Sequence, residues 1–191
     1  MSDEQTALVE EIFRECARLH EQTGRQAAAG VVSVARALQK AFAAGGQVLI
    51  FGNGGSAADA QHLAAELVGK FARDRRALPA IALTTDTSIL TAVANDQHFD
   101  HVFARQVQAL GRAGDVAIGI STSGTSSNVL AGLAAAKAQG LTTVAFTGRD
   151  GGTIGCAADL HVNAPHAVTA RIQELHRTMI HAVCELVERE L

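Results

Sequence analysis

The chain contains no tryptophan and no tyrosine, and only seven phenylalanines in 191 residues. Stacking of bases or sugar rings on aromatic side chains is therefore not an obvious recognition device. Basic blocks are missing too. Lys plus Arg number 16 against 19 Asp plus Glu, a formal charge of −3, which argues against a nucleic-acid partner. No apolar run approaches the roughly 20 residues needed to cross a bilayer. The segment Met1-Ser2-Asp3-Glu4-Gln5 is acidic and leads into no apolar signal segment, so the expectation is a cytoplasmic protein with no membrane partner. The three cysteines, Cys16, Cys156 and Cys184, are far apart and form no CxxC pair. They read as reduced, mostly buried thiols.

Apolar residues make up 48% of the chain, enough for a sizeable core, and the length suits one domain spanning 1–191. From Glu4 to Gly45 the spacing is helical, with Leu8, Ile12, Cys16 and Leu19 on one stripe and Val31, Val34, Leu38 and Phe42 on another. That predicts a pair of helices over 1–45, ahead of an α/β core and C-terminal helix over 46–191. In the core, short apolar runs alternate with helical segments: Val48–Phe51, Ala80–Leu83, Val116–Ile120, Thr142–Phe146 and Leu160–Val162. Such alternation marks a parallel sheet covered by helices. Gly45-Gly46, Pro79, Gly114-Asp115, Gly140 and Gly148 punctuate the element ends. A last helix, Thr169–Glu190, carries Ile172, Leu175, Met179, Val183 and Leu186 on its apolar side.

Ligands of open α/β sheets bind beyond the carboxyl ends of the strands. Two loops there have the composition to hold a phosphate. Gly52-Asn53-Gly54-Gly55-Ser56 follows the first strand and opens a helix, offering backbone N–H groups at a helix N-terminus. Ser121-Thr122-Ser123-Gly124-Thr125-Ser126-Ser127 follows the third strand and precedes a helix starting near Asn128, adding hydroxyls to the same kind of cradle. No Walker lysine follows either loop, which disfavours a nucleoside triphosphate. On the first helix His62 and Glu66 stand at i and i+4, one turn apart on one face, close enough to share a metal ion or a substrate atom. The apolar setting Leu63-Ala64-Ala65-Glu66-Leu67-Val68 favours a part-buried carboxylate suited to act as a base. Gln173 and His181 on the last helix share a face but lie about 12 Å apart along it. Their convergence on one ion with His62 and Glu66 is easier if two chains complete the site, which predicts an active site at a subunit interface. Asn95-Asp96 is placed to hold sugar hydroxyls, and equally to make a turn. His176 reads as a surface or core histidine.

These stretches, together with Leu78-Pro79-Ala80-Ile81-Ala82-Leu83 and Arg171-Ile172-Gln173-Glu174, resemble the sugar isomerase (SIS) domain over nearly the whole chain, and within it the phosphoheptose isomerase family. The resemblance implies a three-layer sandwich around a five-stranded, flavodoxin-like parallel sheet, and a homotetramer with active sites between chains. It implies one zinc per subunit at His62, Glu66, Gln173 and His181, with Glu66 and His181 catalytic. Substrate would be held by Asn53, Gly54, Gly55, Ser56, Glu66, Asn95, Asp96, Ser121, Thr122, Ser123, Ser126 and Gln173. The implied reaction turns sedoheptulose 7-phosphate into D-glycero-D-manno-heptose 7-phosphate, the first step of bacterial ADP/GDP-heptose biosynthesis. Thr125 and Ala170 depart from the residues expected there. Relatives that bind the replication initiator DnaA as scaffolds share much of this framework, and their counterparts of Glu66 and His181 are replaced; a regulatory sugar-phosphate-binding domain is a third reading.

Overall fold

Alternate residues of a strand face opposite sides of a sheet, and the five strands here use both sides. Val48 and Ile50 of β1 (Val48–Gly52) enter one hydrophobic cluster, while Leu49 and Phe51 enter a second. The same division holds for Val116 and Ile118 against Ala117 in β3 (Val116–Ser121), and for Val144 and Phe146 against Ala145 in β4 (Thr142–Gly148). Near-continuous apolar runs are what a sheet buried on both faces demands. With β2 (Ala80–Ala82) and β5 (Leu160–Ala164), all pairings are parallel and the order is β2-β1-β3-β4-β5. This is the doubly wound, flavodoxin-like arrangement, whose switch point lies between β1 and β3. The computed structural model describes residues 2–190; Met1 and Leu191 lie outside them.

On one face pack α1 (Ser2–Ala43), α2 (Gly55–Val68) and α7 (Thr169–Arg189). The other face is covered by α4 (Val102–Leu110), α5 (Ser127–Ala138) and α6 (Gly152–Ala157), with α3 (Thr87–Asp96) and the single turn Phe99–His101 at its edge. The three-layer sandwich is thus observed.

The N-terminal region is one 42-residue helix, not a pair. The apolar stripe does not break between the two expected helices: Leu19, Thr23, Ala27, Val31, Val34 and Leu38 are buried in one 3.6-residue succession. Gly24 lies beside that stripe, lining the same groove as Ala27 and Val31, and a glycine costs a helix about 1 kcal/mol without ending it. Cysteine burial also differs from expectation. Only Cys184 is buried; Cys16 is half-buried and Cys156 exposed, because α6 turns its Cys156 side to solvent. No helix among the described residues is long and apolar enough to cross a membrane.

Candidate active site

The two glycine- and serine-rich loops meet at the switch point, and a reciprocal amide pair joins them. Asn53 Nδ2 donates to Asn128 Oδ1 at 2.8 Å, and Asn128 Nδ2 returns a bond to Asn53 Oδ1 at 2.9 Å. Asn128 is buried. Sequence reasoning used it only as the mark of a helix start; its missed role is to tie the start of α5 to that of α2. Each of these helices begins without a side-chain cap, at Gly54 and at Ser126, so no side chain of its own N-cap residue occupies the positive end of either helix dipole. Gly54 adopts φ +56°, a conformation costly for any residue with a side chain.

Within the serine loop the hydroxyls form a small network around buried Ser121. Its Oγ lies 2.9 Å from Ser126 Oγ and 3.3 Å from Ser123 Oγ. Ser123 Oγ also accepts from Thr125 N at 3.2 Å and from Thr125 Oγ1 at 3.1 Å. Thr125 is therefore a strut of the loop. Gly124, at φ +71°, turns its Cα onto Gly151, where a Cβ would overlap the carbonyl group. Asn95 and Asp96 end α3, exposed, with Asn95 Nδ2 donating to Asp96 Oδ1 at 2.8 Å. The segment just after them reaches the serine loop through a Ser127–Asp100 hydrogen bond.

Alpha helices α2 and α7 run side by side in the same direction, and matched positions meet in sequence. At the first turn, the Gln173 amide lies where a Cβ on Gly55 would fall. One turn on, Arg177 donates from Nε and Nη2 to Asp59 Oδ1 at 3.0 and 2.6 Å, and Asp59 Oδ2 has no hydrogen-bond partner. A further turn on, His62 Nε2 lies 2.9 Å from His181 Nε2 and 3.3 Å from Glu66 Oε1. His62, Glu66 and His181 are brought together; Gln173 is not, since within one chain it stands two turns away at Gly55.

Burial, reinforced by the Arg177 charge, pushes the His62 pKa below the ordinary histidine range despite the Glu66 and Asp59 carboxylates. A neutral imidazole next to Glu66 makes their contact a hydrogen bond at most, and it frees a ring nitrogen to act as a ligand. The three donor atoms lie within 4.8 Å of one another. Two imidazole nitrogens and a carboxylate oxygen at these separations have the donor types and spacing to share one metal ion. His176 is a core residue: it is fully buried and its Nε2–H donates to Thr147 O at 2.8 Å.

Comparison with known proteins bears on the chain as a whole. The SIS domain family pattern matches residues 11–148. A phosphoheptose isomerase of Aquifex aeolicus is 56% identical over 180 residues, covering 94% of each chain. Among solved structures, the phosphoheptose isomerase of Neisseria gonorrhoeae superposes with a TM-score of 0.92 at 46% identity, over 97% of this chain and 99% of that one. One from Francisella tularensis gives 0.93 at 32% identity, over 97% and 98%.

Proposed function

This chain belongs to the phosphoheptose isomerase family of SIS-domain proteins, and on that premise we propose that it converts sedoheptulose 7-phosphate to D-glycero-D-manno-heptose 7-phosphate. The observation that carries the reading is the meeting of His62, Glu66 and His181 two turns along α2 from an uncapped, glycine-rich helix start. Two turns are about 10 Å, on the order of an extended seven-carbon sugar phosphate. The phosphate is assigned to Asn53, Gly54, Gly55, Ser56, Ser121, Thr122, Ser123 and Ser126, and sugar hydroxyls to Asn95, Asp96 and Gln173.

Isomerisation moves a proton from C1 of the ketose to C2 and another between the two oxygens, through an enediolate. Glu66 is the base at carbon: its side chain is 21% exposed, and with Oε1 turned to His62, Oε2 is left for the C1 proton. His181 then carries the proton between O1 and O2, its ring steadied by Phe71, with centroids 5.4 Å apart. We assign one zinc per subunit to His62, Glu66 and His181; when bound, it polarises the carbonyl and stabilises the developing oxyanion. Because Gln173 stands at Gly55 in its own chain, the fourth ligand is assigned to Gln173 of an adjacent subunit in a homotetramer. Support for assembly comes from Leu8, Val9 and Phe13, exposed on α1, and from an apolar groove of about 410 Å³ between α1 and α7 lined by Ala27, Val31, Met179 and Leu186. The setting is the cytoplasm, at the start of ADP/GDP-heptose biosynthesis.

The DnaA-scaffold reading finds no support among the relatives above, and Glu66 and His181 are both in place. The test is turnover of sedoheptulose 7-phosphate by zinc-supplemented protein beside Glu66→Gln. That variant should keep the fold and lose turnover; near-normal turnover would remove Glu66 from the mechanism.

A further inference from the structure

Glu188, in the last turn of α7, is only 4% exposed, a placement a carboxylate tolerates only when well paired. Its partners come from the connection between α2 and β2. Phe71 N donates to Oε1 at 2.8 Å, while Ala72 N and Arg73 N each donate to Oε2 at 2.9 Å. Three successive N–H groups thus form a nest filled by the protein's own anion. Arg75 Nε lies 3.2 Å from Oε1 of the same carboxylate, with the two side chains 6% and 3% exposed. The rest of the Arg75 fork closes the end of α2: Nη1 donates to Leu67 O at 2.8 Å and Gly69 O at 3.0 Å, and Nη2 to Glu66 O at 2.6 Å. A guanidinium suits unpaired carbonyls at a helix C-terminus.

Both arms of this clamp lead to the reacting groups. Arg75 grips the main chain of Glu66 itself. Glu188 fixes the N–H of Phe71, whose ring lies against His181 at a 39° interplanar angle. We infer that Arg75 and Glu188 are positioning residues for the isomerisation: their buried pair locks the α2–β2 connection, so that Phe71 and the Glu66 main chain hold the His181 ring and the Glu66 carboxylate in register with His62. This deepens the isomerase reading and rests on it. Neither residue is assigned contact with the sugar; both act through Glu66, Phe71 and His181.

The experiment compares Arg75→Lys, Glu188→Gln and Phe71→Leu in the full-length protein. Steady-state kinetics on sedoheptulose 7-phosphate are read beside titration with zinc, or with cobalt(II) followed by its visible absorption. In Arg75→Lys and Glu188→Gln we expect kcat to fall about 10-fold or more and metal affinity to drop about 10–100-fold, the range typical of groups that orient metal ligands. KM should stay within about two-fold, since the phosphate loops lie at the other end of α2. Phe71→Leu leaves the ion pair intact and should move kcat and metal affinity the same way by less. If Glu188→Gln strands Arg75 and does not fold, the other two variants carry the test. Folded Arg75→Lys and Phe71→Leu proteins with wild-type kcat and metal affinity, even at lowered melting temperature, overturn the inference. A wild type that binds metal without isomerising the sugar sinks the isomerase reading instead, and weakened metal binding in the variants would then still support the clamp.

Discussion

Replacing Asn128 by alanine should uncouple the two phosphate loops. The substitution deletes both bonds of the amide pair, 2.8 and 2.9 Å long, each worth about 1 kcal/mol net. It also leaves the half-buried Asn53 amide without partners, which adds up to about 1 kcal/mol. The expected loss is about 2–3 kcal/mol, equivalent to a fall in melting temperature of about 4–12 °C for a chain of this size. Asn53→Ala should cost a similar amount for the same reason. Because one interaction is lost either way, Asn53→Ala/Asn128→Ala should be little worse than either single variant, giving a coupling energy of about 2 kcal/mol in a double-mutant cycle. Thermal unfolding followed by circular dichroism measures all four proteins. KM for the sugar phosphate should rise in each variant, since the N-termini of α2 and α5 no longer face the anion in fixed relation. Additive single effects, or an Asn128→Ala protein within about 0.5 kcal/mol of wild type, would show that the loops are held by something else.

Gly124→Ala should destabilise the protein by more than about 1–2 kcal/mol, since it combines a left-handed backbone with a collision against Gly151, and a melting temperature at the wild-type value would refute that account. Thiol reagents should modify exposed Cys156 rapidly and leave Cys184 intact until the protein unfolds, because burial and the nearby Glu66 and Glu188 charges push the Cys184 thiol up to about 12; peptide mapping after labelling reads this directly. Burial raises the Glu188 pKa, but the Ala72, Phe71 and Arg73 N–H groups and the Arg75 charge outweigh it, leaving the carboxyl below its ordinary value. Its contribution to stability is thus fully present above the ordinary glutamate pKa and is lost as pH falls through the lower folded value. Acid unfolding of Glu188→Gln should therefore be shallower than that of wild type over that interval.

Most of the fold can be read from spacing alone. The strand cores Val48–Phe51, Val116–Ile120 and Thr142–Phe146 are recognisable because strands buried on both faces are continuously apolar and bounded by glycine. The end residues Gly52, Ser121 and Gly148 complete their strands through backbone pairing that carries no side-chain signal. The two apolar stripes, Leu8 to Leu19 and Val31 to Phe42, suggest two helices, whereas the unbroken burial from Leu19 to Leu38 joins them into one. His62 and Glu66 are legible through their i, i+4 spacing; His181 is joined to them in the sequence only by the family resemblance, and its contact within one chain follows from α2 and α7 lying in parallel. The partners that hold the site are silent for a related reason. Asn128 looks like any asparagine at a helix start, Arg75 lies in the charged run Arg73-Asp74-Arg75-Arg76, and Glu188 sits in a polar helix end. Each is of a type usually found in solvent, and only long-range packing reveals that it is enclosed.

His62 and His181 stand 119 positions apart in the sequence, which gives their meeting a further meaning. An ion gripped by both ties α2 to α7 across most of the chain, as a removable cross-link would. Closing a loop of about 100 residues in the unfolded chain by a covalent tie costs it entropy worth about 4.7 kcal/mol. A metal tie differs in being reversible, so the lifetime of the folded chain should follow metal supply, and starvation for the ion should shorten the enzyme's persistence as well as silence it.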